Sequence, residues 1–346
     1  MFRRVILVLA CFALTAGAHA ETGHDAWLRY APVPARNLPA VIAASGDSKL
    51  IETARNELIR GVRGMTGRTL RIESGAPKEP AILVGTLRDL KLNGNVAPEG
   101  YWLKASAGNI IVTGADDRGV LYGAFALLRR IALGEPLLSL DEKQAPYAPI
   151  RWINQWDNLD GSIERGYGGR SIFWDNLHAR ADLSRVGDYG RLLASVGINA
   201  CSINNVNANP RMLAPDFIPE IARIAEAFRP WGIRAAISVD FGSPQTIGGL
   251  DTFDPLDPRV AEWWKKTADA LYSAVPDLAG FVLKADSEGR VGPSTYHRTH
   301  ADAANVVARA LKPHGGLLLY RGFVYDHHMD WNNPKNDRAR AAYDNF

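Results

Sequence analysis

Glu288 closes the segment Lys284-Ala285-Asp286-Ser287-Glu288-Gly289, directly after the short apolar run at residues 280–283. A carboxyl group just past a buried strand can reach the mouth of a barrel. Partial burial raises a carboxylic acid's pKa, which lets it give a proton to a leaving oxygen. Lys284 and Arg321 end two successive apolar runs and would project towards the same mouth. Together they make a clamp for a carboxylate, which arginine can grip with two parallel bonds. The residue types also allow Glu288 to pair with Lys284 or Arg290, and the two cations to pair with Asp286 or Asp326.

A second concentration of chemistry lies at residues 151–174, where an apolar start gives way to polar, aromatic and glycine residues. Trp156 offers a flat ring on which a sugar face could stack. Trp152 reads as barrel core. Asp157, Asp160, Glu164, Arg165 and Arg170 either form a charged network that shapes the loop or, for Glu164 and Arg165, touch substrate directly. Asn204 and Asn205 follow the next apolar run and either donate to hydroxyls or terminate a strand. His297 and His300, and the run Asp326-His327-His328-Met329-Asp330, give no complete ligand set at accepted metal spacing, so neither a metal nor a cofactor is expected. No G-x-S-x-G elbow is present, and Cys201 has no nucleophile signature.

These residues need strands to carry them. From residue 149 the pattern repeats as strand, polar loop, helix. Strands are predicted at residues 149–153, 198–203, 233–239, 280–283 and 316–320. Helices are predicted near 188–196, 216–228, 258–275 and 302–311, with Asp257 capping the third and Pro258 in its first turn. Short aliphatic strands without alternation suit a parallel sheet covered on both sides, and the spacing favours a (β/α)8 barrel. Only five strands can be counted where closure needs eight. The chain is therefore expected to be a fragment with exposed strand edges.

The residues ahead of the barrel read differently. Residues 51–65 and those after Asp116 or Asp117 form amphipathic helices, and residues 81–84, 101–104 and 109–113 are candidate strands. The irregular order indicates an α+β domain over residues 21–145, with residues 138–148 as linker and the barrel at 146–346. Arg3, Arg4, an apolar run and Ala18-His19-Ala20 read as an export signal over residues 1–20. Its removal brings the formal charge from +3 to +1, which favours neither nucleic acid nor an anionic membrane. The expected location is the periplasm or the medium. One cysteine then remains, so an intrachain disulfide is not expected.

The run W-D-N-L-D-G-x-I-E-R-G-Y-x-G-R-S-I-F, from Trp156 to Phe173, resembles the start of the catalytic barrel in glycoside hydrolase family 67, the α-glucuronidases. The opening D-x-W-L-R-Y, the accessory-domain helix, N-N-V-N-A from Asn204, the K-A-x-S-E-G motif and R-x-F-V-Y from Arg321 extend the likeness over nearly the whole mature chain. The resemblance implies cleavage, with inversion, of the α-1,2 bond joining (4-O-methyl)glucuronic acid to the terminal xylose of xylo-oligosaccharides. It implies Glu288 as general acid, Lys284 and Arg321 on the uronate carboxylate, and Trp156 in the active site. It also places the general base beyond the fifth strand, adds a C-terminal helical domain and implies a homodimer of the full-length protein, so the 346-residue chain alone is expected to be inactive. A hexosaminidase-like glycosidase of the same architecture and a non-catalytic carbohydrate-binding protein are the competing expectations.

Overall fold

The structure is a computed structural model that describes residues 27–34, 37–322 and 332–333. The proposed leader, the run at 326–330 and residues 323–325 of the R-x-F-V-Y motif lie outside the described residues.

The first part is a six-stranded mixed sheet. Its strands are β1 (Val41–Ala44), β2 (Arg71–Ile72), β3 (Ala81–Thr86), β4 (Tyr101–Ser106), β5 (Asn109–Gly114) and β6 (Asp141–Gln144), in the spatial order β2-β1-β3-β5-β4-β6. β1, β2, β3 and β5 run parallel, and β4 is antiparallel to both β5 and β6. Helices α1 (Lys49–Thr66) and α2 (Asp117–Leu133) pack together; an added Cβ on Gly61 would meet the Leu128 side chain at 2.4 Å. Ser48 accepts from the Ile51 amide and Asp116 from the Gly119 amide, each satisfying an amide that the first helical turn leaves unpaired. The expected linker over 138–148 needs correction. Residues 141–144 pair with β4 as an edge strand, and Arg130 binds Glu142 across to α2.

The second part is a five-stranded sheet of β7 (Trp152–Asn154), β10 (Ala200–Ser202), β11 (Arg234–Asp240), β12 (Gly280–Lys284) and β13 (Leu317–Tyr320), in the order β13-β12-β11-β10-β7. A short hairpin, β8 (Trp174–Asp175) with β9 (His178–Ala179), sits in the first connection. All five strands are parallel and neighbour one another in chain order. Helices α3 (Ser184–Ser195), α4 (Ile218–Phe228), α5 (Pro258–Ala274) and α6 (His300–Leu311) fill the connections. This is the repeating unit of a (β/α)8 barrel, carried through five strands. β11 and β12 are almost wholly buried, which is why they read as unbroken aliphatic runs. Inside the curl, Trp152 packs on Ala200, Ala236 and Ala279 and donates its indole N–H to Ser202 Oγ at 2.9 Å.

Gly280 sets the distance between β12 and β13. It has φ +135°, and an added Cβ would lie 1.9 Å from the Leu317 carbonyl oxygen. α6 begins two residues earlier than expected. Thr299 is its cap, and Asp302 bonds back to the Thr299 amide as the partner in a capping box.

The two sheets are tied by charge. Glu99 takes Arg118 at 2.6 Å, Arg151, and the Asn199 amide at 3.1 Å. Glu57 on α1 accepts from Arg191 on α3 at 2.7 Å and from the Tyr30 hydroxyl at 2.6 Å.

Candidate active site at the strand ends

β12 ends at Lys284, whose side chain is 1% exposed. Such an ammonium needs partners to replace water. It donates to Glu288 Oε2 at 2.5 Å and to Asn207 Oδ1 at 2.5 Å. Arg321 follows β13 and reaches Glu288 Oε2 at 3.3 Å; its backbone amide bonds the Leu283 carbonyl at 2.9 Å. Arg165 arrives from the β7 loop, with Nη2 3.6 Å from Glu288 Oε1. Three cations from three strand ends thus converge on one carboxylate.

The loop between Lys284 and Glu288 is conformationally unusual. Asp286 and Glu288 adopt φ of 46° and 50°, the left-handed region that non-glycine residues rarely enter. Such backbone persists where surrounding contacts over-determine it. Asp286 is gripped by Ser294, whose Oγ donates at 2.5 Å and whose amide donates at 3.0 Å. His300 Nε2 stands 3.7 Å from Asp286, and its Nδ1 is 2.8 Å from the Tyr320 hydroxyl. Burial holds the His300 pKa below the usual imidazole range. Gly292 admits the loop, since a Cβ there would lie 2.6 Å from the Asp286 amide nitrogen.

The charges do not follow the simple expectation of a raised acid. Glu288 lies at the surface of the cluster, and its bond from Lys284 holds its carboxyl below the ordinary range. Burial in turn pushes the Lys284 ammonium down. The sequence-based expectation of a raised Glu288 is corrected: ion pairing outweighs desolvation here.

The β7 loop supplies the remaining candidates. Glu164 has φ 56°; its amide donates to the Trp156 carbonyl at 2.8 Å, and its Oε1 lies 3.3 Å from Arg165. Glu164 Oε2 is buried and has no hydrogen-bond partner among the described residues. Trp156 is half-buried, and its carbonyl also receives the Asn205 side-chain amide at 3.3 Å. Asn204 plays a different part. Its amide donates to the Ser238 carbonyl at 3.0 Å and accepts from the Ser238 amide at 2.7 Å, strapping β10 to β11. Its hydrogen bonds face the frame rather than a ligand.

Sequence reasoning missed two residues, Asn207 and Asp240, and weighed Arg290 only as a partner of Glu288. Asn207, inside the N-N-V-N-A run, bridges to Lys284 as described above. Arg290 donates to the Asn207 carbonyl at 2.8 Å and lies 3.6 Å from Asp240 at the end of β11. Burial raises the Asp240 pKa. A polar residue closing a buried strand was the available signal for Asp240; nothing in the local sequence points Arg290 to Asn207 and Asp240. Asp157 is buried, and desolvation lifts its carboxyl to about 6 against a hydrogen bond from Ser171.

A cleft of about 380 Å³ opens at these strand ends, lined by Asp157, Asp160, Asn204, Asn205, Asn207 and Arg290. A larger one of about 790 Å³ lies between α2 and the end of α3, bordered by Phe125, Arg129 and Val196. The smaller cleft is the chemically relevant one, because it shares Asn207 with the ion cluster.

A parallel βα sheet with an acid and three cations gathered at its carboxyl ends defines a protein of the (β/α) barrel class, with its polar cluster where such barrels carry their sites. Comparison with known proteins gives the family. The model of the glycosyl hydrolase family 67 middle domain matches residues 130–346, and that of the family 67 N-terminus matches residues 26–127. The chain belongs to glycosyl hydrolase family 67. It is 47% identical over 359 residues to the probable alpha-glucuronidase A of Aspergillus terreus, covering 99% of this chain and 43% of that protein. The alpha-glucuronidase A of Emericella nidulans is 46% identical over 362 residues, covering 96% and 42%. The chain thus spans less than half the length of these relatives.

Among solved structures, the GH20 beta-N-acetylhexosaminidase of Streptomyces coelicolor A3(2) superposes with a TM-score of 0.55 at 13% identity, covering 85% of this chain and 64% of that one. A family GH115 4-O-methyl-alpha-glucuronidase gives 0.51 at 16%, covering 79% and 39%. Both likenesses concern the fold.

Proposed function

We propose that this chain carries the acid and the uronate-binding part of an inverting α-glucuronidase site. The substrate is the α-1,2 bond between (4-O-methyl)glucuronic acid and xylose in xylo-oligosaccharides, in the course of xylan degradation. The observation that carries the reading is the convergence of Lys284, Arg321 and Arg165 on Glu288. Cations from separate strands can hold a sugar carboxylate, and the carboxylic acid beside them can protonate the leaving oxygen.

Glu288 must carry a proton to act. A uronate carboxylate that takes over the bonds from Lys284 and Arg321 removes the cause that keeps Glu288 deprotonated, so its pKa rises in the bound complex. Glu288 then gives its proton to the glycosidic oxygen as the bond to xylose breaks. A water attacks the anomeric carbon from the opposite face and loses its proton to a second carboxylate, which inversion puts about 6.5–9.5 Å from the acid. That base lies outside the cluster described here. Trp156 supplies a stacking face, and Glu164 Oε2 and Asn205 supply hydrogen-bonding groups for hydroxyls. The signal-like residues 1–20 extend the reading to an exported protein, and the family likeness extends it to a homodimer.

The full-length gene product, incubated with glucuronic-acid-substituted xylo-oligosaccharide, should release the uronic acid with its anomeric configuration inverted, as followed by NMR. A retained anomer, or preference for an uncharged sugar, would overturn the reading in favour of a hexosaminidase-like enzyme. Binding without turnover that survives Glu288→Ala would make it a binding protein.

A further inference from the structure

Lys284 is nearly inaccessible, so its position is decided by the protein groups around it. One partner is Glu288, the proposed acid, on a loop in left-handed backbone. The other is Asn207 Oδ1 at 2.5 Å. The difference between them is charge. Glu288 satisfies the ammonium and neutralises it, whereas Asn207 satisfies it with a carbonyl dipole and leaves its charge intact.

The backbone of Asn207 is itself held at both its amide and its carbonyl. Its backbone amide donates to Asn205 Oδ1 at 2.9 Å. Its carbonyl accepts from Arg290 Nη2 at 2.8 Å. Arg290 belongs to the Glu288 loop, where Ser287 and Arg290 form a bridge, and its guanidinium also lies near Asp240. Asn207 therefore sits at a node joining the loops after β10, β11 and β12. Its side chain is half-buried and has one evident task, which is to fix the Lys284 Nζ.

We propose that Asn207 is a positioning residue for uronate recognition: its side-chain carbonyl pins the Lys284 ammonium at the strand end, uncompensated by charge, so that the ammonium is presented to the sugar carboxylate when Glu288 is released. The inference rests on the α-glucuronidase reading above. A carboxylate at position 207 would hold the lysine equally well but cancel the charge it offers. An apolar residue would leave the ammonium without its second anchor and let it follow Glu288. Asparagine satisfies both requirements, since a neutral acceptor orients a cation without competing for its ligand.

The test is steady-state kinetics on the full-length gene product with two substrates, the uronic-acid-substituted xylo-oligosaccharide and the same oligosaccharide with the uronic carboxyl reduced to an alcohol. Asn207→Ala should raise KM for the charged substrate on the order of tenfold with kcat nearly kept, and should leave the reduced substrate nearly unaffected. In a Lys284→Ala background the same change should have no further effect on KM. Asn207→Asp keeps the hydrogen bond and the fold, and should raise the charged-substrate KM at least as far. This second variant decides the matter if the alanine variant does not fold. Equal losses on both substrates, full additivity with Lys284→Ala, or an unchanged KM in Asn207→Asp would overturn the proposal. A wild type that does not cleave the charged substrate would overturn instead the reading on which it rests.

Discussion

Lys284 and Glu288 are four residues apart in sequence and 2.5 Å apart at their charged atoms, yet one is buried and the other is exposed at the mouth. The left-handed turn at Asp286 and Glu288 makes this possible by folding the loop back over the strand end. The pair couples two titrations, so a change to either charge is felt by both. Removing the ammonium with Lys284→Met takes away the main cause of the low Glu288 pKa. The alkaline limb of the kcat/KM profile, which reports deprotonation of the acid in the free enzyme, should then move to higher pH, while KM for the uronate rises. An alkaline limb that stays in place would show that Glu288 is not the acid.

Glu288→Gln should lower kcat by roughly 10²–10⁴-fold, the usual contribution of general acid catalysis. Uronate binding should be kept or strengthened, since the amide no longer competes for Lys284 and Arg321 as an anion. Isothermal titration with the uronic acid product would measure this.

Arg191 and Glu57 join the two sheets through a buried pair, with Glu57 only 1% exposed. Arg191→Ala leaves that carboxylate in the interior with a weaker set of partners. The expected cost is about 3–5 kcal/mol, the range for breaking one side of a buried pair. Glu57→Gln added to it should recover part of the loss. Denaturant unfolding reads both, and a single-variant loss below about 1 kcal/mol would contradict the burial argument.

Asp157 makes stability depend on pH. Its folded-state carboxyl titrates at about 6, above the unfolded value. The unfolded chain therefore loses this proton first as pH rises. Asp157 contributes most below the unfolded carboxylate pKa of about 4, and its contribution is lost as pH rises towards 6. Asp157→Asn should flatten the thermal midpoint between those values. A midpoint that varies in the variant as in the wild type would exclude this residue as the source.

Gly280→Ala drives a methyl group into the Leu317 carbonyl, a backbone atom that cannot move without unpairing β12 from β13. Backbone incompatibility of this kind costs roughly 4 kcal/mol or more. The expected outcome is a poorly soluble chain with a lowered unfolding midpoint.

Much of the second sheet was legible because burial on both faces leaves unbroken aliphatic runs, as in β11 and β12. Its helices announced themselves through caps such as Asp257 and through spaced apolar residues. β1 escaped notice: the four-residue apolar run at residues 41–44 carries no periodic signal. β6 escaped for the opposite reason. Asp-Glu-Lys-Gln has no apolar face, and it is a strand only because β4 offers it an edge. The ion cluster was readable at Lys284, Glu288 and Arg321, since each closes or follows a strand. Asn207 was not, and Arg290 was read only as a possible partner of Glu288, because their roles come from loops folding across three strands, which is a tertiary fact. The direction of the Glu288 shift was misread for the same reason: burial can be guessed from sequence, but a 2.5 Å contact cannot.

The order β13-β12-β11-β10-β7 has a consequence for how the protein is made. Each strand of the second sheet docks beside the strand that left the ribosome just before it. Among the described residues, the strand pairing of this sheet never waits for a distant partner, so the sheet can lengthen along one edge at the pace of translation. The acid loop is then assembled late, on a platform of strands already in place, and Asn207 is waiting on that platform when Lys284 emerges.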